Sequence, residues 1–179
     1  MKKIVLIAML CISYTGISQE KMISKSGKIN FEASITSFEE VKAVNTNVTY
    51  VLNPETGEIA SLAIMKGFRF KVALMEEHFN ENYVESDKYP KAIFKGKIEG
   101  FDLNSLTENP KDFVLKGKLD LHGKSNDIKT TAKISKAASG VKIVSSFSVN
   151  ASDYNIAIPA VVKRKVSNKI NVEIDATLK

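Results

Sequence analysis

The sequence has one cysteine, and it lies in a segment that we expect the mature protein to lack. Cys11 follows Leu10 in an apolar run, whereas a lipoprotein signal needs a small residue before its cysteine. We therefore interpret Cys11 as part of an ordinary secretory signal peptide. The mature chain then has no cysteine, which excludes disulfides and thiolate metal sites, so its stability must come from packing alone.

The other shortages exclude further classes of protein. Nine glycines and four prolines in 179 residues are too few for a low-complexity chain, and no run after residue 20 is long and apolar enough for a transmembrane helix. Arg69 and Arg164 are the only arginines, and the lysines alternate along predicted strands. Nucleic-acid sites usually combine clustered basic residues with exposed aromatic side chains, so we predict no nucleic-acid partner.

Side chains suited to catalysis or metal binding are also scarce. His78 and His122 are the only histidines, and a zinc site needs three or four ligands. The chain contains no G-x-S-x-G, no H-E-x-x-H and no glycine-rich phosphate loop. We predict no enzymatic activity, no cofactor and no metal, and expect the histidines to fix turns. Catalysis by either histidine is the alternative.

Residues 1–18 have the pattern of a secretory signal peptide. Two lysines precede an apolar run over residues 4–12, which is too short to span a bilayer, and small or polar residues lead to Ser18. We predict cleavage after Ser18 and a mature domain over residues 19–179, in the periplasm or the medium. Without the two lysines, 24 basic residues remain against 20 acidic ones, a net charge of +4.

The rest of the chain alternates apolar and polar residues with a period of two. The clearest run covers residues 170–178, and the others cover residues 28–34, 44–52, 59–70, 92–99, 113–121, 128–135 and 141–151. Successive side chains of a strand point to opposite faces, so each run predicts a strand that is buried on one face and wet on the other. About eight such strands predict an all-β barrel or sandwich.

Three local signals interrupt these strands. Asn53–Gly57 is a turn sequence between two strands and predicts a hairpin, and Lys66-Gly67 marks a break in the following run. Residues 72–83 have helical spacing and predict a short helix before Pro90. Small residues on predicted inward faces leave room inside a barrel or fit a sandwich core: Gly96, Gly117, Ala132, Ser145 and Ala176.

Three stretches resemble a known family. Residues 78–98 read HFNENYVESDKYPKAIFKGKI, residues 119–123 read LDLHG, and residues 27–31 read GKINF. Together with Asp153-Tyr154 they resemble the YceI-like family over nearly the whole mature chain. The resemblance implies one exported domain, an eight-stranded antiparallel lipocalin-like barrel with one or two short helices. It also implies an apolar tunnel for a long isoprenoid lipid, such as a polyprenyl phosphate or a quinone, without catalysis.

The predicted buried faces, the one basic cluster and the departures from the family pattern indicate where a ligand would bind. Many relatives carry an arginine before the Asp-aromatic pair, whereas Ala151 and Ser152 precede Asp153 in this chain; this disfavours a phosphorylated ligand, because arginine is the natural phosphate partner. Contact with a membrane surface and a homodimer are left open, and a filled barrel with a structural role is the alternative function. We predict head-group contacts at His122, Lys163 and Arg164, and ligand-binding roles for Phe31, Phe68, Phe70, Phe94, Phe113, Leu115, Leu119 and Phe147.

Overall fold

The structure is a computed structural model that describes residues 20–35 and 40–179. The predicted signal peptide, residues 1–18 with Cys11, lies outside the described residues. Among the helices of the described residues, none has the length and apolar character needed to cross a bilayer.

In the described part of the chain, nine antiparallel strands form one sheet, and eight of them close into a barrel. The strands are β1 (Met22–Ser34), β2 (Lys42–Leu52), β3 (Glu58–Ile64), β4 (Arg69–Phe70), β5 (Lys91–Ile98), β6 (Lys111–Leu121), β7 (Lys124–Ala137), β8 (Gly140–Asn150) and β9 (Val166–Leu178). The order around the barrel is β1-β9-β8-β7-β6-β5-β3-β2, and pairing of β1 with β2 closes it, which confirms the predicted barrel. The short extra strand β4 pairs with the start of β2.

The turns that the sequence predicts are present. Asn53 Oδ1 accepts hydrogen bonds from the backbone N–H groups of Glu55 and Thr56, at 2.9 and 3.2 Å, and so forms the hairpin between β2 and β3. A 3₁₀ turn at Met65–Gly67 breaks the next run, as predicted. The predicted helix is α1 (Ala73–His78), followed directly by a π-helical turn at Phe79–Tyr83.

The connections fall at two ends of the barrel because every strand is antiparallel to its neighbours. One end, which we call the upper end, carries residues 35, 40–41, 65–90, 122–123 and 151–165. The opposite, lower end carries the connections at residues 53–57, 99–110 and 138–139. The helix and the longest connections therefore lie together at the upper end.

The lower half of the barrel is filled with packed side chains. Leu106, from a lower-end connection, is 6% exposed and belongs to the same core. Full burial of an aliphatic side chain contributes about 1.5–3 kcal/mol, so this half holds a large share of the folding energy. Among the side chains of the lower half that are at most 1% exposed, the strands supply Leu52, Ile98, Ala132, Ile134, Val141, Ile143 and Leu178.

Two inward glycines do not leave the open space that the sequence suggests. Gly96 and Gly117 are direct partners on β5 and β6. A Cβ atom on either residue would lie 2.6 Å from Cζ of Phe94. The ring of Phe94 therefore covers both glycines, and their lack of side chains accommodates this ring instead of a ligand.

Candidate functional site

A cavity of about 420 Å³ occupies the upper half of the barrel. Inward residues of the strands form its sides, and residues of α1, the π turn and the 151–165 connection complete it at the upper end. Small-molecule sites typically have volumes of roughly 300–1,000 Å³, so the cavity is large enough for an apolar ligand. The interior is thus filled in its lower half and hollow in its upper half.

The wall of the cavity is mostly apolar. Its only lysine or arginine, among the residues that the structure describes, is Lys165 from the upper-end connection. A charged group deeper in the cavity would be desolvated without a counter-ion, which is costly. The polar or titratable side chains of the wall are Tyr50, Ser61, His78, Tyr83, Thr130, Tyr154 and Lys165.

Four phenylalanines form an aromatic cluster in the upper part of the wall. Phe31 lies on β1 and Phe79 begins the π turn. Phe68 directly precedes β4, and Phe70 is the second residue of β4. Their ring centroids are 5.1–5.9 Å apart in five contacting pairs, a spacing at which aromatic rings attract one another. The cluster thus packs the helical segment against the barrel.

One carboxylate fixes this helical segment to β4. Glu76 on α1 accepts hydrogen bonds from the Arg69 guanidinium at 2.8 Å and from the Phe70 backbone N–H at 3.1 Å. Met75 and Phe79 consequently face the cavity. We did not predict either residue as part of the site, although the helical spacing over residues 72–83 marks both as apolar positions on one side of the helix.

Seven of the eight predicted ligand-binding residues line the cavity. Phe113 does not, because it lies near the lower end of β6 and packs against Phe101 with ring centroids 6.3 Å apart. Its inward face follows from alternation, but its height in the barrel does not. The seven residues in the wall are Phe31, Phe68, Phe70, Phe94, Leu115, Leu119 and Phe147.

The three predicted head-group residues lie outside the cavity wall. Lys163 and Arg164 are exposed, and their neighbour Lys165 is the residue that reaches the wall. His122 is 8% exposed in its side chain, and both ring nitrogens are engaged within the protein.

His122 joins three connections at the upper end. Its Nδ1–H donates to the Tyr154 carbonyl oxygen at 2.9 Å, and its Nε2 lies 2.8 Å from a carboxylate oxygen of Glu85. The Tyr89 ring packs edge-on against the imidazole, with centroids 4.4 Å apart. His122 therefore holds the 65–90 connection and the 151–165 connection to the β6–β7 turn, which fits the expected role of fixing a turn.

Replacing His122 with alanine is expected to destabilise the domain by about 1–3 kcal/mol, because the buried Tyr154 carbonyl loses its donor. Urea unfolding followed by far-UV circular dichroism measures the change. His78→Ala is the matched control, since His78 is exposed and its replacement should stay within about 0.5 kcal/mol of the parent. Equal unfolding midpoints for the two variants would contradict the role of His122.

Two of the hydroxyl-bearing side chains of the cavity wall lie on neighbouring strands. Tyr50 on β2 and Ser61 on β3 are direct cross-strand partners, and both line the wall. Burial raises the pKa of the Tyr50 phenol above its ordinary value, and the Asp175 carboxylate raises this pKa further. The phenol is consequently neutral and able to donate a hydrogen bond.

Comparisons with known proteins agree with this architecture. The model of the YceI-like domain matches residues 17–178, whereas no protein with a curated description matches the chain. A polyisoprenoid-binding domain from Saccharophagus degradans, implicated in plant cell wall breakdown, has 14% identity and a TM-score of 0.75, with 89% of this chain and 97% of that chain covered.

Two further solved structures share the fold at low sequence identity. BcnA from Burkholderia cenocepacia has 11% identity and a TM-score of 0.68, with 83% of this chain and 94% of that chain covered. The YCEI protein of Campylobacter jejuni has 16% identity and a TM-score of 0.52, with 100% and 99% covered. Because the YceI-like domain model matches residues 17–178, and because the structure has the barrel and the apolar cavity described above, the chain belongs to the YceI-like family.

Proposed function

We propose that this protein is exported and holds a long, isoprenoid-like lipid in the cavity, for transport, storage or scavenging, without changing it chemically. The apolar cavity of about 420 Å³ in the upper half of the barrel carries the proposal. The ligand class is supported by the structural similarity of this chain to the Saccharophagus degradans domain, which is named for polyisoprenoid binding.

Binding in such a cavity needs no charged anchor. Each isoprene unit removed from water contributes about 2–3 kcal/mol at roughly 25 cal/mol per Å². The affinity should therefore increase with the number of isoprene units until the cavity is full. A ligand that is apolar along most of its length suits this wall better than a short polar molecule, because the wall offers it few hydrogen bonds.

The upper end also has the character of a membrane-facing surface. Leu74 on α1 is 56% exposed and Val161 is 86% exposed. Residues 163–165 add three positive charges beside Val161, and Lys165 borders the cavity. Apolar side chains flanked by basic residues favour an anionic lipid surface, so uptake from a membrane through the upper end is part of the proposal.

Titration with a fluorescent geranylgeranyl probe tests the proposal. We expect saturable binding of one probe per chain in the micromolar range, which corresponds to about 8 kcal/mol. Unlabelled geraniol, farnesol and geranylgeraniol should displace the probe with increasing affinity in that order. Probe supplied in vesicles should transfer faster when the vesicles contain phosphatidylglycerol than when they contain phosphatidylcholine alone.

The two parts of this experiment have separate negative results. Absence of saturable probe binding, with no displacement by any of the three alcohols, would overturn the lipid-binding function. Strong binding with equal transfer from both kinds of vesicle would leave that function in place and would refute the membrane route.

A further inference from the structure

Tyr50 and Ser61 bring two hydroxyl groups to neighbouring positions in the cavity wall. Tyr50 is only 3% exposed, and its Oη has no hydrogen-bond partner in the part of the chain that the structure describes. Ser61 likewise makes no side-chain hydrogen bond to any described residue. Nearly all buried polar groups in proteins are paired, so an unpaired phenol in an apolar wall indicates a partner that the protein itself does not supply.

Another hydroxyl of the wall, that of Thr130, is paired within the barrel. Thr130 Oγ1 lies 3.3 Å from Ser145 Oγ and donates to the Ser146 carbonyl oxygen at 3.2 Å. Its hydrogen-bonding capacity is used within the barrel. Tyr154, which also lines the cavity, has a buried hydroxyl without a partner among the described residues. Tyr50 differs from Tyr154 because its direct cross-strand partner, Ser61, brings a second hydroxyl beside it.

The local structure places the Tyr50 ring at the floor of the cavity. The next inward residue of β2, Leu52, belongs to the filled lower half. A Cβ atom at Gly27, on the adjacent strand β1, would collide with Cε2 of Tyr50. The absence of a side chain at Gly27 therefore gives the ring its space beside the cavity.

We propose that Tyr50 and Ser61 form a polar subsite at the floor of the cavity that donates hydrogen bonds to a neutral carbonyl oxygen of the bound lipid. This subsite rests on the proposed lipid-binding function and specifies the ligand and its direction. The ligand enters with its carbonyl-bearing end first and leaves its apolar chain among the phenylalanines above.

The chemistry of the two side chains selects a carbonyl over a charged group. A carbonyl oxygen has two lone pairs and accepts hydrogen bonds from both hydroxyls. A phosphate at the floor would be a buried anion, and Lys165, the one lysine that the described residues contribute to the wall, comes from the upper-end connection. A phosphorylated head group would thus have to stay at the upper end, with the floor hydroxyls unpaired.

An isosteric pair of probes tests the subsite: 2-tridecanone and 2-methyl-1-tridecene, which place a carbonyl oxygen or a methylene group at the same position. Each is titrated by displacement of the fluorescent geranylgeranyl probe. Tyr50→Phe and Ser61→Ala should each weaken ketone binding about 5- to 10-fold, the worth of one hydrogen bond, and leave alkene binding unchanged. The carbonyl stretch of the bound ketone should lie at lower frequency in the parent protein than in Tyr50→Phe.

Thr49→Val is the matched control, because Thr49 precedes Tyr50 on β2 and points to the outer face of the barrel. It should leave both affinities unchanged. Equal effects of Tyr50→Phe on ketone and alkene, or no effect on either, would overturn the carbonyl subsite while lipid binding stands. If the parent protein binds neither probe nor the geranylgeranyl label, the proposed function itself fails.

Discussion

Replacing Ala63 with phenylalanine is expected to weaken binding of the geranylgeranyl probe by roughly 30- to 150-fold while the domain stays folded. Ala63 lines the cavity from β3, is 2% exposed, and lies directly opposite Ala92 on β5. A phenyl ring at this position would fill space that an isoprene unit otherwise occupies, and each such unit contributes about 2–3 kcal/mol. The same titration that tests lipid binding measures the loss.

The added ring should be tolerated because it enters a hollow region. Overpacking of a filled core costs about 1–3 kcal/mol, and the 420 Å³ cavity reduces that strain. Unfolding in urea checks that the variant is folded before its affinity is interpreted.

Ala60→Phe is the matched control for this prediction. Ala60 lies three residues earlier on β3, so that its side chain points to the outer face. The same ring added outside the barrel should leave probe affinity unchanged. Undiminished binding by Ala63→Phe would mean that the ligand does not occupy the cavity, and equal losses in both variants would point to a general effect on the strand.

Ile98→Ala is expected to lower the free energy of unfolding by about 2–5 kcal/mol, the cost of a buried large-to-small substitution. Ile98 is 0% exposed, belongs to the filled lower half, and does not line the cavity. The surrounding side chains are closely packed, so the substitution would leave a void that they cannot fill. Chemical denaturation measures the stability, and probe titration under native conditions measures the affinity.

The comparison with Leu119→Ala separates the two halves of the barrel. Leu119 lines the cavity and already borders empty space, so its truncation creates less new void and should cost less stability than Ile98→Ala. We expect the opposite order for ligand binding, with Leu119→Ala weakening the probe and Ile98→Ala retaining it. A greater loss of stability in Leu119→Ala would contradict the division into a filled half and a hollow half.

Local sequence alone determined which face of each strand is buried. Alternation on β5 and β6 places Phe94 and Leu119 inside and the intervening lysines outside, because a pleated strand turns successive side chains to opposite faces. The hairpin at Asn53–Gly57 and the helix after residue 72 were predictable for the same reason, since each depends on residues that are neighbours in the chain.

Height within the barrel was decided only by the tertiary structure. Phe113 and Leu119 share the inward face of β6, yet Leu119 lines the cavity and Phe113 packs against Phe101 near the lower end. Which half is hollow depends on strand register, on closure through β1 and β2, and on the connections that fold over each end. These contacts join residues far apart in the chain, and no period within a single strand encodes them.

The groups that we propose to contact a ligand likewise depend partly on local sequence and partly on the tertiary structure. Alternation along β2 and β3 puts Tyr50 on the same face as Leu52, and Ser61 on the same face as Ile59. Only the register of the two strands makes Tyr50 and Ser61 direct partners. Only the fold brings Gly27 beside the Tyr50 ring and leaves the Tyr50 hydroxyl without a partner among the described residues. The role of His122 is divided in the same way. Its position in the sequence predicted a turn, but its contacts with Glu85 and Tyr154 exist only because three connections that are distant in the chain meet at the upper end.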